Sequence, residues 1–274
     1  MTKNKGIYHY IAFVLLVIVA LMFIFPFYWI ITGAFKAQSV TMQLPPEWFP
    51  KNPTMYNFQK LFNNPALLWF FNSVWMSLVS MVLVCVTASM GGYVLAKKSF
   101  TGRKVVFSIL ICAMALPKQV VLVPLVRIMN MLGLYNTLSA VILPAVGWPF
   151  GVFLMKQFSE TIPTEILEAA RIDGAGETRT FVNVVCPIIK PAFGALAIFT
   201  FISTWNDYFL QLVMLQSRNK LSIALGVATL QAEMATDYGV IMAGATLGSL
   251  PIVLIFICFQ KYFANGITMG AVKG

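Results

Sequence analysis

Long runs of hydrophobic residues alternate with short polar segments along this chain. We predict six such runs, at about residues 10–34, 69–95, 105–128, 137–157, 184–214 and 239–261. Each reaches the roughly 20 residues that a helix needs to cross the hydrocarbon core of a bilayer. The runs are continuous rather than alternating, which favours helices over a β-barrel. The pattern therefore predicts an all-α membrane protein with six transmembrane helices.

Helix breakers and small residues modify this picture. Prolines interrupt the third, fourth and sixth runs, at Pro117, Pro124, Pro144, Pro149 and Pro251. Each removes a backbone hydrogen bond, so we predict kinks at these positions. The polar loop 215–238 is predicted to hold a short helix at about Leu225–Glu233.

The composition agrees with a lipid environment. Hydrophobic residues make up 59% of the 274 residues, charged residues make up 10%, and the mean hydropathy is +0.82. Soluble proteins have about a quarter charged residues. The first run is longer than the apolar core of a signal peptide, which has about 7–15 residues, so we predict an uncleaved membrane anchor.

The net charge of +10 raises the possibility of a nucleic-acid partner, but its distribution favours a topology signal. With the N-terminus inside, the inner segments hold twelve Lys and Arg and the outer loops hold six, and Lys118 within the third run completes the 19. Cytoplasmic segments carry such an excess. We predict that both termini are cytoplasmic and that nucleic acid is not a partner. The inner turn 96–104, with Lys97 and Lys98, is interpreted as part of this signal only.

Sequence signatures of enzymes and cofactor sites are missing. No GxxxxGK[ST] loop is present, so ATP binding by this chain is not expected. The four cysteines are scattered without a CxxC pair, and His9 is the only histidine, which argues against disulfides and metal sites. A serine nucleophile would lack a plausible histidine partner. We predict no catalytic residue, no metal and no cofactor bound by this chain.

Two polar residues, Lys118 and Gln119, follow Pro117 inside the third run. A lysine near the bilayer centre costs roughly 2.5–3.5 kcal/mol on insertion scales. We therefore favour a polar interior or a water-filled path around Lys118. The alternative is a lysine close to the interface whose ammonium group snorkels to water.

The fifth run carries Trp205-Asn206-Asp207 and then Gln211. In a continuous helix Trp205 and Phe209 would share one face and form an aromatic ledge beside amide and carboxylate groups. Such a set suits sugar recognition. The alternative is an interfacial tryptophan and an aspartate near a helix end. The candidate substrate-path residues are Lys118, Gln119, Trp205, Asn206, Asp207 and Gln211.

A polar island between the fourth and fifth runs is predicted to form a short amphipathic helix. Pro163 suits its first turn, and Glu165 and Glu168 place negative charge near its positive N-terminal end. Gly174 and Gly176 are expected to end it. Its acidic residues disfavour the alternative position on the anionic inner leaflet, so we predict docking onto another protein. The apolar side is predicted to contain Ile162, Ile166, Ala169 and Ala170, with Ile172 near its edge.

Several stretches together resemble one family over nearly the whole chain from Phe25 onward. They are Phe49-Pro50-Lys51-Asn52-Pro53-Thr54, Leu116-Pro117-x-Gln119 with Pro124, Glu168-Ala169-Ala170 with Gly174, Pro187 and Pro191, Phe199 to Asp207, and Gln260 to Gly274. This combination resembles permease subunits of binding-protein-dependent ABC importers, and more narrowly the maltose-type second permease of the carbohydrate branch. Lys118 departs from the family pattern, so no role is carried over for it.

The resemblance implies a six-span permease subunit of an ATP-driven carbohydrate importer in the bacterial inner membrane, which is not itself an enzyme. The implied partners are a second permease, two cytoplasmic ABC ATPases that bind ATP and Mg²⁺, and an extracytoplasmic solute-binding protein. The implied division is a first helix with its outer loop (1–68) and a permease core (69–274).

A cytoplasmic coupling helix is implied between transmembrane helices 4 and 5, within residues 160–183, here called the coupling segment. Its implied ATPase-coupling residues are Glu168, Ala169, Ala170, Arg171, Asp173 and Gly174. Closure of the ATPases would move this helix and switch the permeases between outward and inward access.

One alternative from another class remains open on the residues alone. A secondary carrier would move its solute with protons or sodium through Asp207 and Lys118. Such carriers usually show paired repeats with a broken helix in each half, and no clear internal repeat is evident. A membrane-embedded enzyme is disfavoured by the missing catalytic constellation.

Overall fold

The structure is a computed structural model. It describes the backbone of residues 7–233 and 237–271 and the side chains of residues 7–233 and 237–258. Every regular element within these ranges is helical, which confirms the predicted all-α class. The residues from Gln260 to Gly274 that contribute to the family resemblance have no described side chains. The lysines at positions 3, 5 and 273 also lie outside the described residues.

The α-helices, numbered in chain order, differ widely in length. They are α1 (Ile7–Ala34), α2 (Gln38–Thr41), α3 (Tyr56–Phe62), α4 (Ala66–Lys97), α5 (Arg103–Met114), α6 (Leu122–Met131), α7 (Ser139–Val146), α8 (Phe150–Glu160), α9 (Thr164–Ile172), α10 (Glu177–Thr180), α11 (Cys186–Ile188), α12 (Lys190–Trp205), α13 (Tyr208–Met214), α14 (Ile223–Glu233) and α15 (Tyr238–Ala271). Short 3₁₀ turns lie at Lys118–Val121 and Arg218–Lys220, and a π-turn lies at Phe181–Val185. Helix α14 confirms the predicted helix at Leu225–Glu233.

Four helical stretches are long and apolar enough to cross a membrane: Ile7–Ala34, Ala66–Lys97, Ser139–Glu160 and Tyr238–Cys258. Two further helix pairs qualify only if each bent pair counts as one span. The described residues therefore contain four to six candidate spans, and the predicted six is the upper end of that range.

The predicted third and fifth spans are not continuous helices. Arg103–Met114 and Lys118–Met131 meet at 101°, and Glu177–Ile188 and Lys190–Trp205 meet at 79°. In the third span Pro117 adopts an extended conformation, with φ −60° and ψ 131°, and has no N–H to continue the ladder. The expectation of a simple kink there is wrong because the chain leaves the helical conformation altogether.

Contacts divide the chain into two units, Met1–Leu67 with Gly226–Leu250 and Leu68–Leu225 with Pro251–Gly274. Polar contacts hold the loops of the first unit. Buried Asn57 donates from Nδ2 to the carbonyl oxygens of Ala34, at 2.8 Å, and Lys36, at 2.7 Å. Lys60 Nζ pairs with Asp237 Oδ2 at 2.6 Å.

The core of the second unit joins α4, α8, α9 and α12. Helices α4 and α8 approach closely at Gly92, where an added Cβ would lie 2.6 Å from the backbone N of Lys156. Only glycine permits this approach. The core brings α4 and α9 into one packed body. Its buried hydrophobic residues are Val84, Ala88, Tyr93, Met155, Ile162, Leu167, Val185, Ile189, Ala192 and Leu196.

Candidate functional site

Two helix breaks bring polar residues together among the apolar helices of the second unit. The first is the 3₁₀ turn Lys118–Val121 between α5 and α6. The second lies between α12, which ends at Trp205, and α13, which begins at Tyr208. Asp207 caps α13, and its Oδ1 accepts a hydrogen bond from the Leu210 N–H at 3.4 Å. The sequence run therefore contains a helix end where an uninterrupted span is predicted.

Lys118 connects the two breaks. Its Nζ lies 3.3 Å from Asp207 Oδ2, 3.4 Å from Ser203 Oγ, and 5.1 Å from the ring centroid of Trp148. A carboxylate, a hydroxyl and an aromatic face thus surround the ammonium group. These contacts support the polar interior over the snorkelling alternative, because the charge is compensated within the protein.

An open groove lies beside this ion pair. It contains about 480 Å³ of free space, which is within the range of ligand pockets in proteins. Amide, hydroxyl, charged and aromatic groups line it together, and such a mixture can hydrogen-bond and stack against a polyhydroxylated ligand. The lining residues are Lys118, Gln119, Phe199, Ile202, Ser203, Asn206, Asp207, Tyr208 and Phe209.

A second pocket reaches from the ion pair toward the core of the unit. Lys118, Ser203 and Asp207 line it on the polar side, and Trp148 lies beside them. Val84 of α4 and Leu196 of α12 line it on the apolar side. The polar pair, here called the Lys118–Asp207 pair, therefore lines the same pocket as Val84 and Leu196 of the packed core.

Two of the candidate path residues lie elsewhere. Trp205 is 4% exposed and stacks on Phe201, with ring centroids 5.7 Å apart. Gln211 is 1% exposed and donates from Nε2 to the Thr204 carbonyl oxygen at 2.8 Å. The predicted ledge of Trp205 and Phe209 is wrong, because the break at Asn206-Asp207 ends the helical periodicity on which it rests.

The coupling segment contains the predicted short helix. Pro163, in an extended conformation, precedes α9, and Glu165 lies in its first turn. Gly174 has φ +77° and follows the helix end. Its N–H donates to the Arg171 carbonyl oxygen, and the Ala175 N–H donates to the Ala170 carbonyl oxygen. These two bonds form a Schellman motif, which explains why a glycine stands at this position.

The buried side of α9 differs from the predicted one. Leu167 and Ala170, three residues apart, are 6% and 8% exposed, and Ile162 just before the helix is 2% exposed. Ile166 of the predicted apolar side and Ile172 near its edge are 40% and 86% exposed. The face turned toward the protein's own core therefore follows Leu167, which the predicted pattern leaves out.

The outward side of α9 carries most of the predicted coupling residues. Glu168, Ala169, Arg171, Asp173 and Gly174 are exposed, whereas Ala170 is buried. The exposed set combines acidic groups with the uncovered isoleucines 166 and 172. This surface can contact another protein, while Ala170 packs against the protein's own core.

The interpretation of the inner turn as a topology signal only is incomplete. Lys97 Nζ donates to the carbonyl oxygens of Glu160, at 3.2 Å, and Ile162, at 2.5 Å. Lys98 forms an ion pair with Glu177. Sequence spacing gives no signal for these contacts, which join residues 63 to 79 positions apart. Within the described residues, no group of three or more His, Cys, Asp or Glu side chains is arranged to hold a metal ion.

Comparison with known families gives one match over more than half of the chain. The profile described as binding-protein-dependent transport system inner membrane component matches residues 88–269. The matched range includes both helix breaks and the coupling segment.

Curated proteins and solved structures give related matches. The arabinooligosaccharides transport system permease protein AraQ of Halalkalibacterium halodurans is 36% identical over 93% of this chain and 93% of its own length. The melibiose/raffinose/stachyose import permease protein MelC of Bacillus subtilis is 34% identical over 94% of each. A chain of a bacterial ABC transporter involved in import of the acidic polysaccharide alginate has a TM-score of 0.84 at 22% identity, with 96% of this chain and 99% of that chain covered.

Proposed function

The chain belongs to the family of binding-protein-dependent transport system inner membrane components, and we propose from this premise that it is the permease subunit of an ATP-driven importer of oligosaccharides or related sugars. The observation that carries the proposal is the family match over residues 88–269. The names of the two relatives, which concern oligosaccharide and raffinose-type sugars, support the substrate class. The family is a non-enzymatic membrane component.

The proposed topology has six spans with both termini in the cytoplasm. Counting each bent helix pair as one span gives six. The twofold excess of basic residues in the predicted inner segments supports the orientation. In this arrangement residues 1–68 form the first span and the outer loop, and residues 69–274 form the permease core.

The coupling segment is proposed to dock into a cytoplasmic ATPase. The support is its exposed acidic and apolar surface, with Glu168 and Ala169 outward and Ile172 uncovered. Arg171 and Asp173 flank that surface, Gly174 ends the helix, and Ala170 fixes α9 to the core. Movement of the ATPase would thus be passed to the core through α9.

Partners follow from what the chain lacks and from the family description. Because no phosphate-binding loop is present, two ABC ATPases would bind ATP and Mg²⁺ in place of this chain. A solute-binding protein on the outer side would deliver the sugar. A second permease would complete the path, and lipid would cover the remaining apolar surface of the spans.

The sugar path is proposed to run along the groove at the two helix breaks. Lys118, Gln119, Asn206 and Asp207 would hydrogen-bond sugar hydroxyls, and Tyr208 and Phe209 would supply aromatic faces. The support is their common groove. Trp205 and Gln211 are proposed to act indirectly, by packing behind the break that presents Asn206 and Asp207.

Reconstitution tests the proposal. The complete importer in proteoliposomes should take up sugar only with ATP, and Glu168→Lys should abolish this uptake by reversing the charge of the docking surface. Lys104→Glu, an equal charge reversal on α5 outside the coupling segment, should retain it. Uptake that runs on an ion gradient without any ATPase would overturn the proposal in favour of a secondary carrier using Lys118 and Asp207.

A further inference from the structure

The end of α4 contacts both flanks of the coupling helix. Lys97 meets the chain just before α9, and Lys98 meets it just after. Helix α4 has 32 residues and, at 1.5 Å per residue, is about 48 Å long. A connection at this end therefore reaches far into the second unit.

Lys97 fixes the entry into α9. Its ammonium group donates to two carbonyl oxygens, those of Glu160 and Ile162, at the C-terminal end of α8 and in the turn that follows. Carbonyl groups at a helix C-terminus have no partner within the helix and carry partial negative charge. A lysine ammonium group donates hydrogen bonds to these carbonyl groups and carries the opposite charge. Lys97 therefore holds α4, α8 and the start of α9 together at one point.

Lys98 fixes the exit from α9. It pairs with Glu177, the first residue of α10, and lies 5.4 Å from the ring centroid of Tyr93. Glu177 Oε1 also lies 3.5 Å from Arg171 in the last turn of α9. One carboxylate thus connects two basic groups, one directly after α4 and one on α9.

Apolar packing continues the connection into the membrane. Ile162 and Leu167 are buried in the same cluster as Val84 of α4 and Leu196 of α12. Val84 and Leu196 also line the pocket that holds the Lys118–Asp207 pair. At Gly92 the backbone of α4 lies directly against the backbone of α8. The packed contacts between α9 and the polar pocket are therefore continuous.

We propose that Lys97 and Lys98 are positioning residues for energy coupling. They join α9 to α4, so that displacement of α9 moves α4 and, through Val84, the wall of the polar pocket. This inference rests on the proposed function. It assigns to the inner turn a role in transmission in addition to its contribution to membrane orientation.

Charge reversals in the reconstituted importer test the inference through the number of sugars transported per ATP hydrolysed. Lys98→Glu and Glu177→Lys should each lower this ratio about threefold or more, which is within the range of coupling effects of single substitutions. The double variant rebuilds the pair in the opposite sense but leaves Arg171 beside a lysine at position 177, so it should recover most of the loss without reaching the wild-type ratio. Lys104→Glu is the matched control, since Lys104 forms no ion pair within the described residues, and it should leave the ratio unchanged.

Glu177→Lys distinguishes a role of Lys98 in energy coupling from a role in membrane orientation. It adds positive charge to an inner segment, so a role of Lys98 in orientation alone predicts no loss in this variant. Unchanged ratios in both single variants, or a double variant no better than the singles at equal protein insertion, would overturn the inference. Wild-type importer without ATP-driven uptake would instead contradict the proposed function, so the two failures are distinguishable.

Discussion

The Lys118–Asp207 pair and the Lys98–Glu177 pair combine the same two chemical groups in different surroundings. The first joins two helix breaks among the apolar helices, with side-chain exposures of 40% for Lys118 and 20% for Asp207. The second joins the end of α4 to the coupling segment, with exposures of 24% for Lys98 and 64% for Glu177. The two pairs therefore differ in their carboxylates, of which Asp207 is the more buried. Ser203 and Trp148 also contact Lys118, whereas Tyr93 and the second cation Arg171 complete the other pair.

The difference in surroundings separates two ways in which an ion pair contributes. Among apolar helices, a charge that loses its partner is only partly compensated by its surroundings, so breaking the pair is costly even if forming it is nearly neutral. Around the more exposed Glu177, water and salt replace a lost partner, and the stability contribution is small. The Lys118–Asp207 pair is therefore expected to stabilise the pocket. The Lys98–Glu177 pair is expected to contribute little stability and to act by connecting α4 to the coupling segment.

Breaking the membrane pair should have the largest effect. Asp207→Asn retains the side-chain oxygen that caps α13 but removes the charge opposite Lys118. We expect ATP-driven uptake to fall about tenfold, which corresponds to about 1.4 kcal/mol. This is less than the roughly 3–5 kcal/mol for breaking a fully buried pair, because Lys118 is 40% exposed and solvent screens its charge. Uptake by proteoliposomes at matched protein insertion measures this loss.

The double variant Asp207→Asn with Lys118→Met provides the control. It removes both charges and should recover most of the loss, because no unpaired charge remains. A double variant as impaired as Asp207→Asn would show that Asp207 acts on its own, and the account of the pair would then be wrong.

The salt dependence of thermal stability should distinguish the two pairs, although the expected change is smaller than the loss of uptake in Asp207→Asn. Lys98→Met should lower the thermal unfolding midpoint at low salt by an amount corresponding to roughly 0.2–1 kcal/mol. That difference from wild type should shrink between about 0.1 M and about 1 M salt, since the Debye length falls from about 10 Å to about 3 Å. The difference caused by Lys118→Met should persist. Equal salt dependence of both variants would contradict the contrast drawn between the surroundings.

The smallest effect is expected for a third pair, Lys60 with Asp237, in the loops of the first unit. The hydrogen bond from Lys60 to Asp237 raises the pKa of the lysine above its ordinary value of 10.5. The resulting stabilisation of the folded protein is fully present below pH 10.5 and is lost as the pH rises through the raised pKa of Lys60. The difference in thermal stability between wild type and Lys60→Met should follow this course, and a difference that grows with pH would refute it.

Several features could be predicted from local sequence because their causes are local. Pro163 and Gly174 bound α9 as expected, since one precedes the first turn and the other adopts a positive φ after the last. Apolar length predicted the helical stretches. The bend at Pro117 is larger than the predicted kink, because a proline indicates an interruption without specifying its angle. The bend near Pro187 and Pro191 was not predicted.

The hydrophobic pattern determined that this protein is helical, that it has up to six candidate spans, and that a short polar helix lies between the fourth and fifth. Only the tertiary structure decided the partners of Lys97, Lys98 and Lys118, and the inward direction of Trp205. The physical reason is distance along the chain. Lys118 and Asp207 are 89 residues apart and Lys98 and Glu177 are 79 apart. Their meeting depends on helix packing and helix breaks, which local periodicity does not encode.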